Sequence, residues 1–221
     1  MKISENLANI REKIAYYTDP KKIRIVAASK FQSVETIREA SACGITDFGV
    51  NYAQEGKEIK EALKGISICW HFIGHIQSRK VKDLLSYDCV QSFDRKELIQ
   101  EFQKRALQEN LKKEILIQVN IGEEPQKSGV KPAELSSLLV DVRNMPGVIV
   151  KGLMTMPPAL EPIEKRLPYF EKMRELFEAS GFDSENHKLS MGTSEDYALA
   201  VKAGANMIRL GTCLLGKRST S

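Results

Sequence analysis

The sequence predicts an α/β protein, a single (β/α)8 TIM-type barrel, on three observations. Short apolar runs alternate with longer amphipathic segments from one end of the chain to the other, the pattern of parallel strands joined by crossover helices. About eight such apolar runs are present. The length of 221 residues suits a barrel with few insertions. A doubly wound open sheet is the alternative, because it shows the same alternation.

The elements read in order. Apolar spacing over residues 3–17 predicts an opening helix ahead of the barrel. Candidate strands lie near 23–29, 46–50, 68–73, 88–92, 114–120, 148–154, 187–191 and 206–210. Ser33 caps a helix running to Cys43, Ser78 opens a helix from Arg79 to Leu85, and Asp94 precedes a long one from Arg95 to Asn110. Pro132 stands at a first-turn position, where its missing N–H costs nothing. The proline-rich stretch Met156 to Pro162 reads as a loop after a strand rather than a linker, so residues 1–221 are expected to form one domain.

Composition narrows the function classes. With 33 Lys+Arg against 29 Asp+Glu the net charge is +4, and no basic run of the kind found in nucleic-acid arms occurs. Small anions remain as ligands, whereas nucleic acid is not expected. Cys43, Cys69, Cys89 and Cys213 sit in apolar company without a Cys-x-x-Cys pair, as reduced core residues of a cytoplasmic protein do. The N-terminus lacks a basic start followed by an apolar stretch, and no apolar run approaches the roughly 18 residues of a membrane span.

Lys30 closes the apolar run Ile23 to Ser29 where the chain turns polar. Burial disfavours an ammonium, so an amine at the end of a packed strand is placed to form a Schiff base with an aldehyde. The alternative is a solvated strand-end lysine. Two later junctions look built for an anion. In Leu189-Ser190-Met191-Gly192-Thr193-Ser194 a glycine lets backbone approach a ligand, and Thr193 or Ser194 begins a helix whose N–H groups point outward. In Ile208-Arg209-Leu210-Gly211-Thr212 a glycine and a hydroxyl follow the last strand, and the loops after strands seven and eight of barrels frequently hold phosphate. Against this, Ser194 serves equally as a helix cap, Glu195 and Asp196 would oppose a phosphate they faced, and Arg209 would serve as a structural ion-pair partner.

Other patterns are set aside. Gly211 to Arg218 nearly matches a nucleotide phosphate loop, but Arg218 stands where Ser or Thr should hold magnesium and the sequence ends at Ser221. His71 and His75 have helical zinc spacing, yet Trp70-His71-Phe72-Ile73 reads as strand, in which four residues span roughly 13 Å, so no metal site is expected. No Gly-x-Ser-x-Gly elbow is present. Glu55, Glu123 and Glu124 have no spacing that sets them apart from surface charges, and Lys127 is a secondary amine in a loop after the fifth strand.

Ala27-Ala28-Ser29-Lys30, Phe48 to Glu55, Trp70 to Gly74, Gln77-Ser78, Gln118 to Ile121, Lys127-Ser128-Gly129, Gly152-Leu153-Met154, Leu189 to Gly192 and Arg209 to Thr212 together resemble, in order and over nearly the whole chain, the pyridoxal phosphate homeostasis proteins. The resemblance implies a barrel of the alanine racemase type (PLP fold type III) with an extra N-terminal helix and no second β domain. It implies pyridoxal 5′-phosphate (PLP) as cofactor, held as a Schiff base on Lys30, with Ser194, Gly211 and Thr212 on the phosphate, Arg209 facing the pyridine nitrogen and Asn51 lining the pocket. A non-catalytic carrier is then expected, passing PLP to apo PLP-dependent enzymes, as a cytoplasmic monomer without the racemase-type dimer interface. The competing functions are a small PLP-dependent amino-acid racemase and a barrel aldolase using Lys30 on a sugar phosphate. The sequence departs from the family pattern at Val50 for glutamate, His75 for proline, Arg79 for asparagine and Thr193 for methionine, and loss of the carboxylate at Val50 is expected to weaken polar support around Asn51.

Overall fold

In the computed structural model, eight parallel strands close into a barrel in sequence order, and the last returns to pair with the first. Residues 2–217 are described; Met1 and the stretch from Arg218 to Ser221, including the Arg218 of the phosphate-loop-like run, lie outside the described residues. The strands are β1 (Arg24–Ala28), β2 (Asp47–Val50), β3 (Cys69–Phe72), β4 (Cys89–Phe93), β5 (Lys113–Val119), β6 (Val148–Thr155), β7 (Lys188–Ser190) and β8 (Met207–Leu210). Each falls on the run that predicted it, because strands packed on both faces read as nearly continuous apolar sequence. Closure by the β1–β8 pairing, which sets Val26 beside Arg209 and Ala27 beside Leu210, excludes the open doubly wound sheet.

The helices are α1 (Ile3–Ala15), α2 (Val34–Ala42), α3 (Ala53–Ala62), α4 (Lys96–Gln108), α5 (Leu135–Val142), α6 (Leu167–Ala179), α7 (Tyr197–Lys202) and α8 (Thr212–Leu215). The opening helix buries Ile3, Leu7, Ile10 and Ile14, a stripe at helical spacing. Its Asn6 amide donates to the Leu214 carbonyl at 2.9 Å, tying α1 to α8. Ser33 caps α2 as expected, accepting from the Thr36 N–H at 3.2 Å. Pro132 opens a 3-10 turn, Pro132–Glu134, that leads into α5.

Three helix starts differ from the sequence reading. The segment after Ser78 is a 3-10 stretch, Ser78–Ser86, with Gln77 in the capping position. Asp94 does not cap α4; Arg95 holds that position and the Asp94 carboxylate pairs with its guanidinium at 3.1 Å. Neither Thr193 nor Ser194 begins a helix, because a turn intervenes and α7 starts at Tyr197, whose N–H donates to the Thr193 carbonyl at 2.9 Å.

The large core lies between strands and helices, with residues such as Phe48, Phe93, Phe102, Phe170 and Phe177 fully buried in it. A smaller cluster of Val26, Cys89, Leu116, Met154 and Met207 is separate from it. The Gln91 amide reaches Met207 Sδ at 3.4 Å from β4 to β8, which places these alternate strand positions on the barrel axis. All four cysteines are free. Among the described residues, no helix is long and apolar enough to cross a membrane.

Candidate functional site

Every predicted site residue falls at the C-terminal rim of the barrel, the end at which barrel enzymes and binders carry their sites. Lys30 follows β1, Asn51 follows β2, Ser194 lies in the loop after β7, Arg209 is in β8, and Gly211 and Thr212 come directly after it. Since β8 neighbours both β7 and β1, the chain brings these loops side by side.

The β7 and β8 loops meet at Ser194. Its hydroxyl oxygen accepts from the Gly211 N–H at 3.1 Å and from the Cys213 N–H at 3.4 Å, so two backbone donors converge on one oxygen. A Cβ built on Gly211 would meet nothing nearer than Ala28 and Ser194 at 3.9 Å, leaving a small open cradle against those donors. These two N–H groups, with the Ser194 hydroxyl that they bond, are the polar groups a phosphate would use at this rim. Gly192 makes the turn before Ser194 possible: its φ is +92°, and a Cβ there would stand 2.6 Å from the Ala200 Cβ and 2.9 Å from the Tyr197 Cα. Thr212 is exposed at the start of α8, and its hydroxyl makes no hydrogen bond among the described residues.

The acidic neighbours are held elsewhere. Arg166 Nη1 donates to Glu195 at 3.1 Å and to the buried Asp196 at 3.0 Å, while the other Asp196 oxygen accepts the Thr193 N–H at 2.7 Å and hydroxyl at 3.1 Å. These carboxylates therefore brace the loop that carries Ser194. Gly211→Ala is expected to leave the thermal midpoint nearly unchanged and to weaken binding of a phosphate-bearing ligand about tenfold or more, since the added methyl fills the cradle without striking protein; calorimetric titration against the unaltered chain checks this.

Lys30 is half-buried rather than deeply buried. Its ammonium lies 4.8 Å from the Phe31 ring centre and 5.0 Å from that of Tyr52, an aromatic pair that stabilises a cation and fixes the side chain at the rim. Phe31 has φ +59°, a left-handed conformation that bulky residues rarely adopt. Its N–H donates to Glu55 Oε1 at 2.8 Å, so Glu55 from α3 holds the bend after Lys30. Asn51 is half-buried in the turn after β2, and its carbonyl presses so closely on Gly74 that a Cβ there would be 2.0 Å away.

Arg209 is buried and makes no ion pair among the described residues, contrary to the structural alternative for it. It donates to the Ser190 hydroxyl at 2.7 Å and to the Thr155 carbonyl at 2.9 Å. Burial pulls its pKa down to about 10, with the Asp196 charge working in the other direction. Even so, it stays a cation at neutral pH.

The remaining candidates resolve simply. Lys127 pairs with Glu124 at 2.6 Å and donates to the Pro157 carbonyl at 3.0 Å. Glu123 lies 3.8 Å from Lys172. Val50 packs in the large core beside Gly56 of α3. His75 shares a hydrogen bond of 3.0 Å with Ser128, and Arg79 is exposed. His71 lies in strand β3 as the sequence implied. Unforeseen is that Asp47, Cys69 and His71 offer donor atoms within 4.8 Å of one another. They sit toward the N-terminal end of the barrel, where a cavity of about 620 Å3 is lined by Arg24, Asp47 and Lys188. None of the predicted cofactor residues lines that cavity, and the converging donors and the amine all lie at the opposite rim.

Sequence reasoning missed Phe31, Tyr52, Arg166, Ser190 and Gln91. The signal for the last two was available: each is a polar residue two positions from another axis-facing residue in its strand, Lys188 and Cys89 respectively.

The fold and rim define a class, the barrel of the alanine racemase N-terminal type, and the family model described as "Alanine racemase, N-terminal domain" matches residues 1–219. Alanine racemases of Clostridium difficile and Corynebacterium glutamicum share this barrel at TM-scores of 0.76 and 0.70 and 16% and 15% identity, with the chain spanning 57% and 61% of theirs. Within that class, the pyridoxal phosphate homeostasis protein of Aquifex aeolicus is 42% identical over 88% of this chain and 87% of its own, and that of Pasteurella multocida is 35% identical over the full length of both. PipY of Synechococcus elongatus, solved with PLP bound, superposes with a TM-score of 0.86 at 29% identity, covering 97% of this chain and 100% of PipY. The chain belongs to the pyridoxal phosphate homeostasis protein family.

Proposed function

We propose that this chain binds PLP reversibly as a Schiff base on Lys30 and serves intracellular PLP homeostasis as a carrier, without committed catalysis. The observation that carries it is the convergence of the half-buried Lys30, the N–H groups of Gly211 and Cys213 at Ser194, and the Arg209 guanidinium on one barrel rim. The homeostasis names of the relatives and the PLP in PipY support the same reading. Lys30 would supply the amine and a bound PLP the aldehyde of a reversible imine, with one water lost on binding and taken up again on release. Ser194, Gly211 and Thr212 are assigned to its phosphate, Asn51 to the pocket wall and Arg209 to the pyridine nitrogen.

Arg209 favours holding over turnover. A cation beside the ring nitrogen disfavours protonation of that nitrogen, which weakens the ring as an electron sink. The aldehyde is sequestered on Lys30 and released by water to apo PLP-dependent enzymes, with the chain acting as a monomer in the cytoplasm. Adding PLP to the purified chain is expected to produce the absorption of a lysine-bound cofactor at one equivalent, with no solvent deuterium entering the α-carbon of a panel of amino acids. Exchange at enzyme-like rates that disappears in Lys30→Ala would instead make this a small amino-acid racemase.

A further inference from the structure

Five buried polar side chains run along the barrel interior in continuous hydrogen-bond contact. Arg209 meets the Ser190 hydroxyl at 2.7 Å, Ser190 meets Gln91 Oε1 at 2.7 Å, Gln91 Nε2 meets His71 Nδ1 at 3.0 Å, and His71 Nε2 meets Asp47 Oδ1 at 2.8 Å. They come from β8, β7, β4, β3 and β2, and they lead from the proposed cofactor rim toward the other end of the barrel.

The Asp47 end sets the direction of the bonds between them. A guanidinium can only donate and a carboxylate can only accept. Burial works against the Asp47 charge, but hydrogen bonds from His71 and Thr46, with the Arg24 charge, outweigh it and hold the carboxyl below its ordinary pKa. Arg209 therefore donates to Ser190, Ser190 to the Gln91 carbonyl oxygen, the Gln91 amide to His71 Nδ1, and His71 Nε2–H to Asp47. For a neutral imidazole the order follows from the Asp47 end: the carboxylate needs Nε2–H, Nδ1 is then the acceptor that faces the Gln91 amide nitrogen, and the Gln91 carbonyl oxygen is left to accept from Ser190. The Nε2 lone pair is consequently not free, so the Asp47, Cys69 and His71 group is already satisfied without a metal. Bonds aligned head to tail polarise one another and hold the guanidinium, which makes no ion pair among the described residues, while Arg24 stands 3.6 Å from the Asp47 carboxylate at the far end.

We infer that Asp47, His71, Gln91 and Ser190 are positioning residues for Arg209. The chain orients the guanidinium from across the barrel, and so sets the electrostatic environment at the pyridine nitrogen; that consequence rests on the proposed function, whereas the chain's direction does not.

Nitrogen NMR of histidine-labelled, cofactor-free protein is expected to show His71 as the Nε2–H tautomer; Gln91→Leu should keep that tautomer, because the Asp47 carboxylate still accepts from Nε2–H, while the Nδ1 resonance moves as it loses the amide donor. With PLP labelled at its ring nitrogen, Gln91→Leu is expected to shift the ring-nitrogen resonance while borohydride still labels Lys30 at the unaltered stoichiometry. Asp47→Asn replaces a group that can only accept by an amide that can also donate, so the Nε2–H preference should weaken and the ring-nitrogen signal should move. An Nδ1–H tautomer in the unaltered protein overturns the inference, as does an unmoved ring-nitrogen signal in a Gln91→Leu protein fully labelled at Lys30. If Gln91→Leu fails to fold, Ser190→Ala cuts the chain beside Arg209 and is judged on the same ring-nitrogen signal. If the unaltered protein takes no label at Lys30, the proposed function fails, and the His71 tautomer alone decides whether the chain runs as stated.

Discussion

Lys30→Ala is expected to abolish the covalent cofactor label completely while leaving the fold intact. The substitution removes the amine at the end of β1 and its contacts with the Phe31 and Tyr52 rings. Cation–aromatic contacts at a partly exposed site contribute roughly 0.5–1 kcal/mol, so a large loss of stability is not expected. The clamp at Ser194, Gly211 and Cys213 does not depend on Lys30, so weak non-covalent binding of PLP should survive and be visible by calorimetry. Transfer of the full label to Lys127 or another lysine in this variant would refute the assignment of the amine.

Arg166→Ala is the substitution expected to cost most stability. Arg166 and Asp196 are both buried, and three carboxylates, those of Glu161, Glu195 and Asp196, gather on the one guanidinium. The Glu161 and Glu195 side chains are largely exposed, so those two pairs contribute little. Asp196 is different, because removing Arg166 strands its charge in the interior, at a cost of about 3–5 kcal/mol. In a protein of this size that corresponds to a fall of roughly 6–20 °C in thermal midpoint. Because Asp196 also holds the Thr193 N–H beside Ser194, PLP affinity should fall with it. Thermal unfolding of Arg166→Ala decides this: a loss below about 1 kcal/mol would mean that water, not Arg166, compensates the Asp196 charge.

The strands were legible because β2, β4 and β8 are buried along their whole lengths and so appear as apolar runs. Closure was less legible, since the β1–β8 pairing joins Arg24 to Met207 across nearly the whole chain and an open sheet has the same local pattern. At the site, Lys30 could be read as a strand-end amine, but not the bend that Glu55 holds from α3, nor the aromatic pair around the ammonium. The helix expected at Thr193 or Ser194 was displaced because Asp196 folds back on the Thr193 N–H and Ser194 turns to the β8 loop instead.

The axial polar chain escaped notice for a related reason. His71 and Ser190 each look like an isolated polar residue in an apolar run, and Asp47 and Gln91 each sit beside one small hydroxyl residue in theirs. Their partners are 19 to 99 positions away, and only the closed barrel brings them together. The direction of the bonds then follows from the Asp47 carboxylate, which can only accept.

The most direct test of the central claim is borohydride reduction of the PLP-loaded, unaltered chain followed by mass analysis of its peptides. The expected result is one reduced cofactor per chain, on the peptide that carries Lys30. A chain that binds PLP but carries the label on other lysines, or carries none, would contradict the account.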